Sequence, residues 1–219
     1  MRNYLKYIVY LYVLIGFNVV KAGSYEDFFT AIVRDDTSAI TTLVLRGFDP
    51  NTLDPNKQHG LFLALRAGSL KAAKILIEIP QTDVNIANAS GETPLMMAVL
   101  KGQIELTAAL LAKDADVNKT GWTPLHYAAT TGNNALIRML LEKYAYIDAE
   151  SPNGSTPLML AAMYGTPSAV KLLLEEGADP LLKNGLGLSA IDFATQAQRS
   201  ESAELIGAFV RAKQPKGKW

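Results

Sequence analysis

The chain has 219 residues, is 49% hydrophobic, and carries 21 basic against 21 acidic side chains, which fits one elongated globular domain. That balance excludes the broad basic stripe a nucleic-acid footprint needs. With no cysteine, disulfides, thiolate nucleophiles and Cys-based zinc sites are excluded as well, and the chain suits an oxidising compartment.

The N-terminus opens with Arg2 and Lys6, followed by an uncharged apolar stretch from Tyr7 to Val20 and then Val20-Lys21-Ala22. A short basic segment, roughly 14 apolar residues and compact residues at the cleavage positions predict a signal peptide over 1–22, cut after Ala22. A membrane anchor is the competing reading, although about 20 apolar residues are needed to span a bilayer. Removing Arg2, Lys6 and Lys21 leaves 18 basic against 21 acidic residues, so the mature chain is mildly acidic. It is expected in the periplasm or outside the cell, with no membrane contact after cleavage.

Beyond the leader the chain repeats itself. Thr93-Pro94-Leu95-Met96, Thr123-Pro124-Leu125-His126 and Thr156-Pro157-Leu158-Met159 are spaced by 30 and 33 residues, and Ser189-Ala190-Ile191-Asp192 follows 33 further on. A period near 33 marks one supersecondary unit used several times. In chain order the units lie near 26–58, 59–92, 93–122, 123–155, 156–188 and 189–212, within a domain spanning 23–212. The first has Phe28, Ala31, Ile32, then Asp35 where later units have Gly. The second begins at His59-Gly60-Leu61-Phe62 and carries Gly68, Ala72, Ala73, Ile75 and Leu76. The fourth and fifth are the most regular, with Ala128-Ala129 before Gly132 and Ala161-Ala162 before Gly165. The tail 213–219 is basic, with Lys213, Lys216 and Lys218, and is expected to be disordered and solvated.

Within a unit, Thr supplies a helix N-cap and Pro takes the first helical position, where its missing N–H is harmless. Leu at the third position and the Ala pair build a short helix with a small-residue face. Gly then turns the chain into a second helix with a Leu/Val stripe. Gly47 and Gly177 offer left-handed caps after that helix, and Asp114 and Tyr144 stand in their place in the third and fourth units. Between Asn118 and Gly121 the following connection is three residues shorter than between Asp148 and Gly154. The turn Ile79-Pro80-Gln81 lacks the glycine.

These residues together resemble the ankyrin repeat, of the kind found in exported bacterial proteins with a signal peptide. The resemblance implies an all-α repeat solenoid of about six stacked helix–turn–helix units joined by short β-hairpins, with the polar first and last units as caps.

Catalytic chemistry finds no support in the residues. His126 lies in the Thr-Pro-Leu-His motif, where the resemblance implies bonds to the Thr hydroxyl and nearby hairpin backbone. His59 takes an N-cap position, with a structural or solvent-exposed role, and the two histidines are too far apart to share a metal. Asp35-Asp36 and Glu175-Glu176 are adjacent on helices, point about 100° apart, and read as solvated surface rather than acid–base pairs. Gly185-Leu186-Gly187 reads as a turn, not a nucleotide loop. Asn88-Ala89-Ser90 and Asn153-Gly154-Ser155 match the glycosylation sequon on exposed hairpins. No catalytic residue, cofactor or metal is expected.

The resemblance instead implies a non-enzymatic, monomeric scaffold that binds another protein through its concave face. Carried onto this chain, that face includes Arg66, Leu100, Lys101, Trp122, Thr130, Met163, Tyr164 and Leu188. Its middle is unusually apolar, and Trp122 and Tyr164 have the size and polar tips of interface anchors. The alternatives are a membrane-tethered adaptor facing the cytoplasm, or a secreted effector acting on host proteins.

Overall fold

A computed structural model describes residues 23–213. The expected leader at 1–22 and tail residues 214–219 lie outside the described residues. Helices account for all the regular structure among the described residues, apart from one isolated antiparallel bridge between Leu53 and His59. None of these helices is long and apolar enough to cross a membrane. The chain divides at Ala89/Ser90 into two compact units.

The first unit holds two helix pairs: α1 (23–33) with α2 (Thr37–Leu45), and α3 (Gly60–Ala67) with α4 (Leu70–Glu78). Phe28, Ile32, Ile40, Leu61, Phe62, Leu65 and Leu76 are fully buried between them. Here α3 starts with Gly60 rather than the proline of units three to five. A Cβ at Gly60 would lie 2.8 Å from Ile32 Cδ1, so α3 seats closely on α1 there and a larger residue would displace the Ile32 side chain.

Asp35 departs from the expected solvated surface. It occupies the turn where other units have glycine, in the left-handed region at φ 56°. Its carboxylate accepts a hydrogen bond from the Ala72 N–H at 2.6 Å, capping the start of α4, whose own N-cap Ser69 makes no side-chain bond. Backbone strain in one repeat is thus exchanged for a satisfied helix end in the next. Its neighbour Asp36 caps α2 through the Ala39 N–H.

The second unit holds four pairs: α5 (Pro94–Leu100) with α6 (Ile104–Ala112), α7 (Pro124–Thr131) with α8 (Asn134–Glu142), α9 (Pro157–Met163) with α10 (Pro167–Glu175), and α11 (Ala190–Gln196) with α12 (Ser200–Lys213). The first helices of successive pairs pack in the order α5, α7, α9, α11, and the second helices in the order α6, α8, α10, α12. The Thr-Pro-Leu signature accounts for this local structure. Thr93 and Thr156 accept from the N–H of Met96 and Met159, closing the first turns. Leu95, Leu125 and Leu158 are fully buried, and the Ala128-Ala129 and Ala161-Ala162 pairs let neighbouring helices approach closely. The approach is tightest at Gly165, where an added Cβ would sit 2.5 Å from the Ala129 carbonyl oxygen.

Three of the expected hairpins are reduced to tight turns closed by a rung from the N–H of Asp54, Ser151 and Asn184 to the carbonyls of Gln58, Ser155 and Leu188. Side-chain amides tie successive turns together. Asn51 bonds to the Gln81 carbonyl and the Asp83 N–H, and Asn118 does the same to Tyr144 and Tyr146. The connection between α6 and α7 (113–123) is shorter than that between α8 and α9 (143–156), as the sequence spacing predicts. Asp114 and Tyr144 hold the left-handed conformation where Gly47 and Gly177 stand in equivalent turns, which costs about 1 kcal/mol for a side chain as large as tyrosine. The turn at Ile79 stays extended instead. Helix α12 runs to Lys213, the first residue of the tail expected to be disordered, with Ile206 buried and the Lys213 ammonium 4.5 Å from the Phe209 ring centre.

The Asn153 sequon lies on the turn between α8 and α9. The Asn153 side chain accepts from the Ser151 hydroxyl at 2.6 Å and the Ser155 N–H at 3.3 Å, and the Ser155 side chain is buried. These bonds engage the Asn153 side-chain carbonyl oxygen, while the residue itself stays exposed on the turn, as expected.

Candidate functional site

Within the second unit, α5, α7 and α9 present neighbouring faces, and a groove of about 270 Å³ opens across them. Leu100, Trp122, Tyr127, Thr130, Leu160 and Tyr164 line it, with His126 at its base. Three apolar rims stay open to solvent: Leu100 is 38% exposed, Trp122 40% and Tyr164 57%. Leu160 is buried and forms the floor.

Each lining residue is placed by the repeat. Leu100 ends α5, and Tyr164 follows the last residue of α9 with helical backbone. Trp122 immediately precedes the Thr123 N-cap of α7, at the base of the short connection. Its ring meets the His126 imidazole edge to face, with centres 5.3 Å apart. Trp122 therefore packs on its own motif and still faces solvent.

The polar groups beneath the groove are engaged within the fold. The Thr123 N–H donates to His126 Nδ1 at 3.1 Å, so Nε2 carries the proton and donates to the Ser155 carbonyl at 3.0 Å. Burial holds the His126 pKa below its ordinary value. The imidazole is a neutral strut, as the Thr-Pro-Leu-His resemblance implies. Thr130 donates to the His126 carbonyl at 2.8 Å, and Tyr127 donates to Glu92 at 3.2 Å. Burial first, and then the Glu92 carboxylate, push the Tyr127 phenol up to about 12. Above α9, the Arg199 guanidinium donates to the carbonyls of Met163, Tyr164 and Gly165 and fixes the end of that helix. What remains exposed is an apolar recess on a rigid frame, suited to taking up a large apolar side chain.

Of the residues proposed from sequence, the structure gathers Leu100, Trp122, Thr130 and Tyr164. Met163 and Leu188 are half-buried and lie outside the lining, while Lys101 is exposed beside Leu100 at the end of α5. Arg66 is exposed in the last turn of α3, in the first unit. Tyr127 and Leu160 were missed. Both occupy the fifth position of the repeat, between the Thr-Pro-Leu motif and the Ala pair. The signal was helical spacing, since Tyr127 stands three residues before Thr130 and Leu160 four before Tyr164.

His59 is 1% exposed, with Nε2 3.3 Å from Asn51 Oδ1. Burial lowers its pKa to about 4 against the smaller pull of Asp83 and Asp49. Of the two readings for His59, the structural one holds. Among the described residues no group of three or more His, Asp or Glu side chains is placed to hold a metal ion.

The repeated helix pair, its capping signature and the stacking of successive first helices define a helical repeat protein. A family model described as "Ankyrin repeats (3 copies)" matches residues 28–120, 61–151, 114–184 and 145–213. The chain belongs to the ankyrin-repeat family, whose repeats serve as protein–protein interaction scaffolds. It is 34% identical over 109 residues to rat ankyrin repeat and SAM domain-containing protein 6, a match covering 48% of this chain and 12% of that one. A putative ankyrin repeat-containing protein of Treponema pallidum is 28% identical over 199 residues, covering 86% of this chain and 64% of the relative. This chain therefore spans only part of the length of these relatives. Among solved structures, a chain from the complex of a predatory endopeptidase of Bdellovibrio bacteriovorus with an immunity protein superposes with a TM-score of 0.73. It is 27% identical, with 83% of this chain and 97% of that one covered.

Proposed function

We propose that the chain is a non-enzymatic, monomeric scaffold, exported to the periplasm or beyond the cell, that binds a partner protein through the groove of its second unit. The observation that carries this reading is the recess formed by Leu100, Trp122, Tyr127, Leu160 and Tyr164. It is apolar, open, and built on helices whose ends and caps are already satisfied, so it is organised before any partner arrives. A protruding aromatic or aliphatic side chain of the partner is the anchor it fits, with Lys101 beside the groove favouring an acidic neighbour. Both histidines are neutral and engaged in structural bonds, which leaves no accessible imidazole for acid–base work. The similar chain from an endopeptidase–immunity protein complex makes a hydrolase the first partner class to test. Export rests on the basic and apolar N-terminal segment and the absence of cysteine. A native N-terminus at Gly23 supports it, and an intact Met1 would favour a tethered adaptor.

The test is to isolate the partner from the native compartment and compare its affinity for the parent and for Trp122→Ala with Tyr164→Ala. Losing two central aromatic anchors should weaken binding by about 2 kcal/mol or more, roughly thirtyfold, at a temperature where both proteins are folded. Equal affinities would move recognition to another surface.

A further inference from the structure

One turn on a different surface of the second unit breaks the local pattern of the repeat at two positions. After α8 the left-handed position holds Tyr144 at φ 62°, where Gly47 and Gly177 stand in equivalent turns. Two residues on, the equivalent positions hold Asp49, Asp83 and Asp179, each accepting a backbone N–H from Asn51, Asn85 or Leu181 at 2.8–2.9 Å. Here that residue is Tyr146, whose side chain has no carboxylate to make the bond. Both tyrosines are out of place by local rules, and packing does not compensate, since Tyr144 is 85% exposed and Tyr146 69%. The intervening Ala145 is buried, and the two tyrosines flank it in the chain. The turn is held in place nonetheless. Asn118 donates to the Tyr144 carbonyl and accepts from the Tyr146 N–H, both at 2.8 Å, and Asp148 accepts from the Asp179 N–H at 3.1 Å. Those bonds set the tyrosines between neighbouring turns that carry Asp114 and Asp116 on one side and Asp179 on the other. Across the connections 113–123, 143–156 and 176–189, acidic side chains outnumber basic ones six to four.

We infer that Tyr144 and Tyr146 form a second docking surface, separate from the groove, for a basic polypeptide segment whose arginine side chains lie over the two rings and pair with the flanking carboxylates. Guanidinium groups stack on aromatic faces and are weakly hydrated, so this combination of rings and acids selects arginine over lysine.

The probe is fluorescein-labelled octa-arginine, titrated by fluorescence anisotropy against the full chain and against Tyr144→Gly with Tyr146→Asp. That double variant restores the residue types found in equivalent turns, so it should melt at or above the parent's temperature, which confirms its fold. It also adds a carboxylate, so attraction through charge alone would tighten binding. The expected result is saturable binding to the parent, at least tenfold weaker binding to the double variant, and no change for Trp122→Ala. Equal or tighter binding by the double variant, or no saturable binding by the parent, overturns the inference. Failure of the Trp122 and Tyr164 test above would leave it standing.

Discussion

Acid should weaken this fold well before its carboxylates titrate, and His59 is the main reason. The imidazole is buried with its pKa lowered from 6.5 to about 4, so the unfolded chain takes up a proton that the folded chain refuses. A depressed folded pKa makes the associated stability complete above the unfolded value and lost as pH falls toward the folded one. Between pH 7.5 and 4.5 the linkage amounts to about 2.5 kcal/mol for His59 alone. At roughly 2–4 °C per kcal/mol for a chain of this size, the melting temperature should drop by about 5–10 °C. His126 is shifted in the same direction by burial and adds to the fall. Asp148, whose pKa burial raises, works in the opposite sense, and Asp192, held down by Ser189, begins to cost stability only as pH falls into the carboxylate range. The assay is thermal unfolding followed by circular dichroism at 222 nm across this pH range. His59→Thr installs the residue type that caps repeats three to five, and His126→Met copies Met96 and Met159. Each variant should flatten the pH dependence by its own share, whatever its melting temperature at pH 7.5. If the parent and His59→Thr lose the same number of degrees on acidification, His59 is not buried and neutral, and the reasoning fails.

Two further substitutions test the packing that carries the groove. Leu158 is fully buried in α9, between α7 and α11, so Leu158→Ala should cost about 2–5 kcal/mol. Amide exchange should quicken in repeats four and six as well as five, because each unit is stabilised by its neighbours; a parent-like melt would remove Leu158 from the core. At Asp35, alanine loses the bond to the Ala72 N–H and keeps a left-handed backbone, whereas glycine loses the bond but relieves the strain. Urea unfolding should place Asp35→Gly about 1 kcal/mol above Asp35→Ala, and an inverted order would refute the exchange of strain for a cap.

The repeat itself was written in the sequence. Thr-Pro-Leu at 93, 123 and 156, the Ala pairs and the spacing near 33 residues encode short-range events: a cap, a first turn, a small-residue face. Such events depend on neighbours a few positions away, so reading along the chain is enough to find them. The left-handed backbone at Asp114 and Tyr144 was legible for the same reason, by comparison with Gly47 and Gly177. Contacts between repeats decided the rest. Asp35 reads as surface charge until the start of α4 arrives beside it, 37 residues further on. Tyr127 and Leu160 by themselves carry no local signal of a site, yet adjacent first helices leave them as the wall and floor of an open recess. Trp122 and Tyr164 could be named as exposed aromatics, but only the packing of α5, α7 and α9 joins them in one groove. A local pattern specifies which way a side chain points from its own helix; what it meets there depends on the distance and rotation of the next helix, and packing between repeats sets both.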